Sequence, residues 1–171
     1  MAAKDIRLIT TTPISYGLWQ ASYNTVIKYL HKVRNFGNKA RWLLQTALHI
    51  KDDEHIPLTF DQLLQLPGIG RKSAHVIMRE HGLKPPGIMV DIHVLRVAPR
   101  LGICKKGNPV QVEKELLKTI DPTYHLQIGM ALSRHGRAVC LAKSPLCEQC
   151  LIKQYWNYYQ DQSVAVSNKR M

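Results

Sequence analysis

A chain of 171 residues is long enough for one sizeable core, or a small domain with a satellite, and too short for several independent domains. Its hydrophobic fraction of 45% excludes a wholly disordered protein. Its 24 Lys and Arg against 12 Asp and Glu give a net charge of +12, which points to a polyanionic partner, nucleic acid before anionic membrane.

The first stretch without charge, residues 8 to 27, is interrupted throughout by Thr, Pro, Gln, Asn and Ser. No apolar run there reaches the ~20 residues of a membrane span, so no membrane partner is expected. The start, "MAAKDIRLITTTP", lacks the basic and then apolar pattern of a secretory signal. The expected location is cytoplasmic, with Cys104, Cys140, Cys147 and Cys150 reduced rather than paired in disulfides.

From there the chain reads as helix after helix. "SYNTVIKYLHKVR" puts Val26, Ile27, Leu30 and Val33 on one stripe, and "FGNKARWLLQTALHI" gives a second stripe from Leu43, Leu44, Ala47 and Leu48 after a restart at Gly37. "TFDQLLQL" opens with Thr59 and has Gln62 three positions on, the signature of a capping box. "NPVQVEKELLKTI" repeats that signature with Asn108 and Gln111, and Pro109 suits a first helical turn. "DPTYHLQIGMALSRHG" has Asp121 as its cap and stops near Gly136. No segment alternates with period two over a useful length, so the expected class is all-α. Residues 161 to 171 lack an apolar stripe and read as a loose tail.

Between two of these helices lies "LPGIGRKSAHVIM". Pro67 ends the preceding helix, because it has no N–H and restricts its neighbour. Gly68 and Gly70 permit torsions and close approaches that a side chain blocks. The next helix begins at once, so its unpaired N–H groups form a positive end suited to a phosphate oxygen. Two short helices joined by Pro-Gly-x-Gly, over about residues 59 to 80, make a helix-hairpin-helix that grips a DNA backbone without reading bases. A tight turn with glycines for steric reasons alone is the competing reading. The basic pair Arg71–Lys72 and the overall charge favour DNA.

Three motifs in register, "LPGIGRKSAHVI", "VDIHVLRV" and "HGRAVCLAKSPLCEQC", resemble the endonuclease III family of the helix-hairpin-helix (HhH-GPD) DNA glycosylases, from about residue 22 to 160. The resemblance implies a helical barrel domain with a small cysteine-containing region behind it. It implies excision of oxidised pyrimidines from double-stranded DNA and nicking of the abasic site, with no cofactor in the chemistry. The family's nucleophilic lysine falls on Lys72 and its aspartate on Asp91. Leu66, Gly68, Gly70, Arg71 and His75 fall where the hairpin meets DNA; His75 and Arg79 follow Lys72 by three and seven positions, on a helix face that either lines the DNA or is simply solvated.

Both catalytic assignments make physical sense. An amine that attacks a sugar C1′ must be unprotonated, whereas free lysine has a pKa of about 10.4, so the nucleophile needs burial or a positive field. A helix N-terminus beside Arg71 is a field of that kind. Asp91 would stabilise the cationic sugar as the base departs, or relay protons. For Lys72 phosphate contact alone competes with this role, and for Asp91 a plain helix cap does, ahead of the stripe Val94, Leu95, Ala98 and Leu101. The family pattern favours catalysis for both. His93 is open between a site and a surface role, and His135 reads as a hydrogen-bonded structural residue.

The chain departs from the family twice. Cluster ligands there follow Cys-x6-Cys-x2-Cys-x5-Cys; here Cys140, Cys147 and Cys150 fit, but the fourth position is Trp156, and Cys104 lies in an unrelated loop. A [4Fe–4S] cluster is therefore expected to be weak, labile or absent, with zinc on three cysteines and a histidine a lesser possibility. Second, "AKDIRLIT" resembles a point already inside the family's fold, beyond its first helices, with Ala2 and Ala3 where a longer segment would run. The expected layout is a helical domain over 1–136, a degenerate cluster loop over 137–160 and the tail. A partner, or self-association, is expected to cover the helices that the missing segment would cover. Two other readings stand beside the bifunctional enzyme. One is a non-catalytic or decayed DNA-binding module. The other is a monofunctional, adenine-type glycosylase, against which Lys72 argues.

Overall fold

A computed structural model of the chain describes Leu18, residues 20–50 and residues 56–155. Every regular element among the described residues is helical, as the lack of period-two patterning requires. They fall into two compact units, Met1–Ala74 and His75–Met171. Trp156, the tail over 161–171 and the start of the chain with Ala2 and Ala3 lie outside the described residues.

In the first unit, helix α1 (Tyr23–Leu30) is capped by Ser22, whose Oγ accepts the Thr25 N–H at 3.2 Å. Helix α2 (Phe36–Ile50) packs against it, and Arg41 lies over the Tyr23 ring with 6.0 Å to the centroid. The stripes expected from periodicity are only partly buried. Val26 and Ala40 are the buried residues of these helices, while Leu43 and Leu48 are exposed. Val33 falls beyond α1, which ends at Leu30, and α2 begins at Phe36 rather than after Gly37.

Helix α3 (Phe60–Gln65) buries Phe60 and Leu63. The capping box expected at its start does not form. Thr59 Oγ1 donates to Gln62 Oε1 at 2.7 Å, so the two side chains satisfy each other instead of the backbone. Helix α4 (Arg71–Glu80) follows the glycine hairpin, and the division between the units falls inside it, after Ala74.

The second unit is built on helices α5 (Val94–Arg100), α6 (Pro109–Thr119) and α7 (His125–Ala138). The Asn108–Gln111 capping box is formed in both directions, each bond at 3.0 Å, with Pro109 at the first helical position. Asp121 caps a short 3-10 turn, Pro122–Tyr124, and α7 begins only after it. The core comprises Ile88, Val90, Val94, Val97, Ala98, Val112, Leu116 and Leu132, together with Cys140 and Cys150. The cysteine loop, expected as a separate region, thus contributes two side chains to this core.

Two arginines one turn apart on α5 hold that loop. Arg96 donates to the carbonyls of Gly136 at 2.8 Å and Cys140 at 3.1 Å. Arg100 donates to those of Leu141 at 2.8 Å and Ala142 at 3.3 Å. They satisfy a last-turn carbonyl of α7 at Gly136 and three loop carbonyls beyond the helix. Among the described residues no helix is long and apolar enough to cross a membrane.

Candidate functional site

Gly68 sits at φ +78, a left-handed torsion that glycine alone adopts without cost. A Cβ there would also lie 2.7 Å from Cε3 of Trp42, so the indole ring packs directly on the glycine. Thr46 Oγ1 donates to the Pro67 carbonyl at 3.2 Å and ties the turn to α2. Gly70 differs: it is exposed, its φ is not left-handed, and a Cβ would meet nothing within 4 Å. Among the described residues nothing requires glycine at 70. That leaves room for an external surface to press against its backbone, beside the start of α4.

Lys72 is exposed at the second position of α4. Arg71 ahead of it lies over the Phe60 ring, 5.0 Å from the centroid. Two residues expected at the DNA surface are buried. Leu66 is 6% exposed, its N–H bonded to the Leu63 carbonyl and its own carbonyl to the Ile69 N–H, so it anchors the hairpin from below. His75 is 2% exposed, with Nε2 3.1 Å from Glu113 Oε1. A buried carboxylate 38 residues along the chain claims this ring, which the helical wheel alone places beside Lys72. Arg79 pairs with Glu80.

Asp91 belongs to the second unit and is fixed from several directions. Its Oδ1 accepts the N–H groups of His93 and Val94, each at 2.9 Å, which caps α5. Oδ2 accepts Ser133 Oγ, from α7, at 2.6 Å, and an Arg137 nitrogen stands 3.7 Å away. Burial is the largest single influence on the carboxyl and pushes its pKa up. The bonds from Ser133, Val94 and His93 and the nearby His93 ring together outweigh burial, so the net pKa lies below the usual carboxylate value. Asp91 is ionised at neutral pH, a fixed negative charge rather than a proton donor. The linkage follows from that sign. The cap stabilises the fold above the unfolded carboxyl pKa of about 3.9 and loses that contribution as pH falls through the lower folded value.

Close packing sets this geometry. A Cβ on Gly129 would collide with the Met89 carbonyl oxygen, so α7 approaches the 89–91 backbone near enough for the Ser133 hydroxyl to reach the carboxylate. The sequence reading overlooked Ser133. Its signal was the run of buried small residues Gly129, Ser133 and Gly136 along one side of α7.

Cys140 is fully buried and its Sγ lies 3.2 Å from an Arg100 nitrogen; Cys150 Sγ lies 3.8 Å from His135 Nε2. Burial pushes the Cys147 thiol up, the thiols of Cys140 and Cys150 add to this, Arg100 opposes it and Glu148 adds a little more. Burial keeps His135 below the usual imidazole value. Cys104 is raised by burial and then by Glu115. Among the described residues no three Cys, His, Asp or Glu side chains are arranged to hold a metal ion. Tryptophan at 156 offers no thiolate, so the donor set does not fit a cluster with four cysteine ligands.

Comparison with known proteins adds to this geometry. Residues 10–122 match the family described as HhH-GPD superfamily base excision DNA repair protein. Endonuclease III of Rickettsia felis is 37% identical over 135 residues, which cover 77% of this chain and 62% of that protein. Endonuclease III of Buchnera aphidicola is 31% identical over 148 residues, covering 85% and 69%. The chain thus spans somewhat less than two thirds of the Rickettsia relative. Among solved structures, a trapped endonuclease III–DNA covalent intermediate superposes with a TM-score of 0.82 at 28% identity, over 93% of this chain and 76% of that one. A thermostable thymine-DNA glycosylase, with a TM-score of 0.76 at 18% identity, over 92% of this chain and 75% of that one, shares the fold. The family match extends over more than half of the chain, and this protein belongs to the HhH-GPD superfamily of base excision DNA repair proteins.

Proposed function

We propose that the chain is a DNA glycosylase and abasic-site lyase that removes oxidised pyrimidines from double-stranded DNA. The observation that carries this reading is the exposed Lys72, placed directly behind a hairpin whose Gly70 backbone is open to an outside surface. The Lys72 amine attacks C1′, the C1′–N bond breaks, and the base leaves with the bonding electrons and takes up a proton. The sugar opens to an imine linked to Nζ. Loss of a C2′ proton then expels the 3′ phosphate, and water hydrolyses the imine to free the lysine. Asp91 supplies a fixed negative charge for the cationic sugar while the base departs. Gly70, Arg71 and the first N–H groups of α4 hold the DNA backbone. Leu66 and His75 act from the interior. The direct test is incubation with a duplex containing one abasic site: strand cleavage is expected, and binding without cleavage would leave only a DNA-binding module.

Binding itself is expected to be independent of sequence and to weaken steeply with salt, because each phosphate contact releases counterions. Six to ten such contacts would lower affinity by about 10³ to 10⁵ between 50 and 200 mM salt. Fluorescence anisotropy on two unrelated duplexes measures this, and a flat salt dependence would rule out the phosphate-gripping hairpin. The three-cysteine loop is proposed to be held by Arg96 and Arg100 without a [4Fe–4S] cluster. Anaerobically purified protein should therefore contain far fewer than about four irons per chain. A full complement of iron and sulfide would contradict that.

A further inference from the structure

Asp91 has two carboxylate oxygens with different duties. The helix cap occupies Oδ1 with two backbone N–H groups, both at 2.9 Å. Oδ2 faces α7, where the Ser133 hydroxyl donates to it at 2.6 Å. Ser133 is 1% exposed and Asp91 7%, so water competes little for this bond. A serine inside a helix commonly returns its hydroxyl to a carbonyl of the preceding turn. Here it reaches instead across 42 residues of sequence to a carboxylate. Alanine would be the better residue for the helix itself. Among the described residues, the charged and titratable groups facing Asp91 are His93 on its own segment and Arg137 on α7. The Arg137 nitrogen at 3.7 Å is beyond hydrogen-bond distance and its side chain is 60% exposed, so it is a screened charge, not an anchor.

We propose that Ser133 is a positioning residue for Asp91: its hydroxyl fixes the carboxylate oxygen that the helix cap leaves unclaimed and so sets the orientation of the acid during base excision. This role rests on the glycosylase reading above. An O–H···O⁻ bond of this length belongs to the strong, charge-assisted class. It favours the ionised carboxylate, in keeping with the lowered pKa of Asp91. Losing it would let the carboxylate turn about its remaining backbone bonds and would raise the pH at which it takes up a proton.

The experiment is single-turnover base excision as a function of pH, on a duplex with one oxidised pyrimidine, for the full chain and its Ser133→Ala variant. Excision by Ser133→Ala is expected to fall about tenfold at neutral pH, and the acid limb of its profile to move up by about one pH unit, the loss of one bond to a charged group. DNA affinity should be unchanged. Ser133→Cys keeps the shape with a poorer donor and should behave like alanine; it carries the test if Ser133→Ala does not fold. A purely structural serine would change the melting temperature and leave the acid limb where it was. An active parent with an unmoved acid limb in both variants defeats the Ser133 role alone. A parent that excises no base defeats the glycosylase reading and this role with it.

Discussion

Lys72→Arg should bind abasic-site DNA about as well as the parent and lose strand cleavage by at least a factor of about 10³, the scale on which removal of a covalent nucleophile acts. The guanidinium keeps the positive charge at the start of α4 and with it any phosphate contact. It cannot give up its proton to become a nucleophile. Lys72→Ala should lose both cleavage and some affinity. The pair of variants thus separates a reagent from an anchor, since an anchor predicts that arginine rescues what alanine loses. Gel separation of cleaved from intact strand, alongside anisotropy for binding, provides both readouts. Near-parental cleavage by Lys72→Arg would reduce Lys72 to an anchor.

The second large effect divides the two hairpin glycines. Gly68→Ala places a Cβ at a left-handed torsion, which costs about 1–2 kcal/mol, and against the Trp42 ring, where overpacking costs about 1–3 kcal/mol more. Urea denaturation should show a loss of about 2–5 kcal/mol, with DNA binding failing as a consequence. Gly70→Ala meets no atom within 4 Å and should leave the unfolding midpoint close to the parent value. Its DNA affinity should nevertheless drop, because the methyl group stands where the backbone would approach phosphate. Equal behaviour of the two variants in both assays would contradict this division of labour.

What the sequence revealed was mostly local. The Asn108–Gln111 box formed because both partners lie within one turn and Pro109 presets the backbone. The similar Thr59–Gln62 pattern did not, since its two side chains bonded each other. A spacing cannot distinguish these outcomes. The hairpin was legible because proline and two glycines constrain the backbone regardless of surroundings, yet the second reason for Gly68, beside its left-handed torsion, is Trp42, 26 residues earlier.

Burial was less legible. Helical periodicity put His75 beside Lys72, and only Glu113, brought near by the tertiary fold, shows that the ring points inward. Leu66 belongs to the hairpin motif proposed to grip DNA, but the motif constrains the backbone and says nothing of the leucine side chain, which is core. The roles proposed for the lysine and aspartate rest on the family pattern. The surroundings of Asp91 could not be read from it, because Ser133 and Arg137 approach it from a helix more than forty positions away. The same holds for the clamp of Arg96 and Arg100 on the cysteine loop.

The central claim is that Lys72 forms a covalent imine with an abasic sugar, and borohydride trapping tests it most directly. Protein incubated with an abasic-site duplex and reducing agent should give a stable protein–DNA adduct, and peptide mapping should place the modification on Lys72. An adduct on another lysine, or none at all from protein that binds the same duplex, would contradict the account.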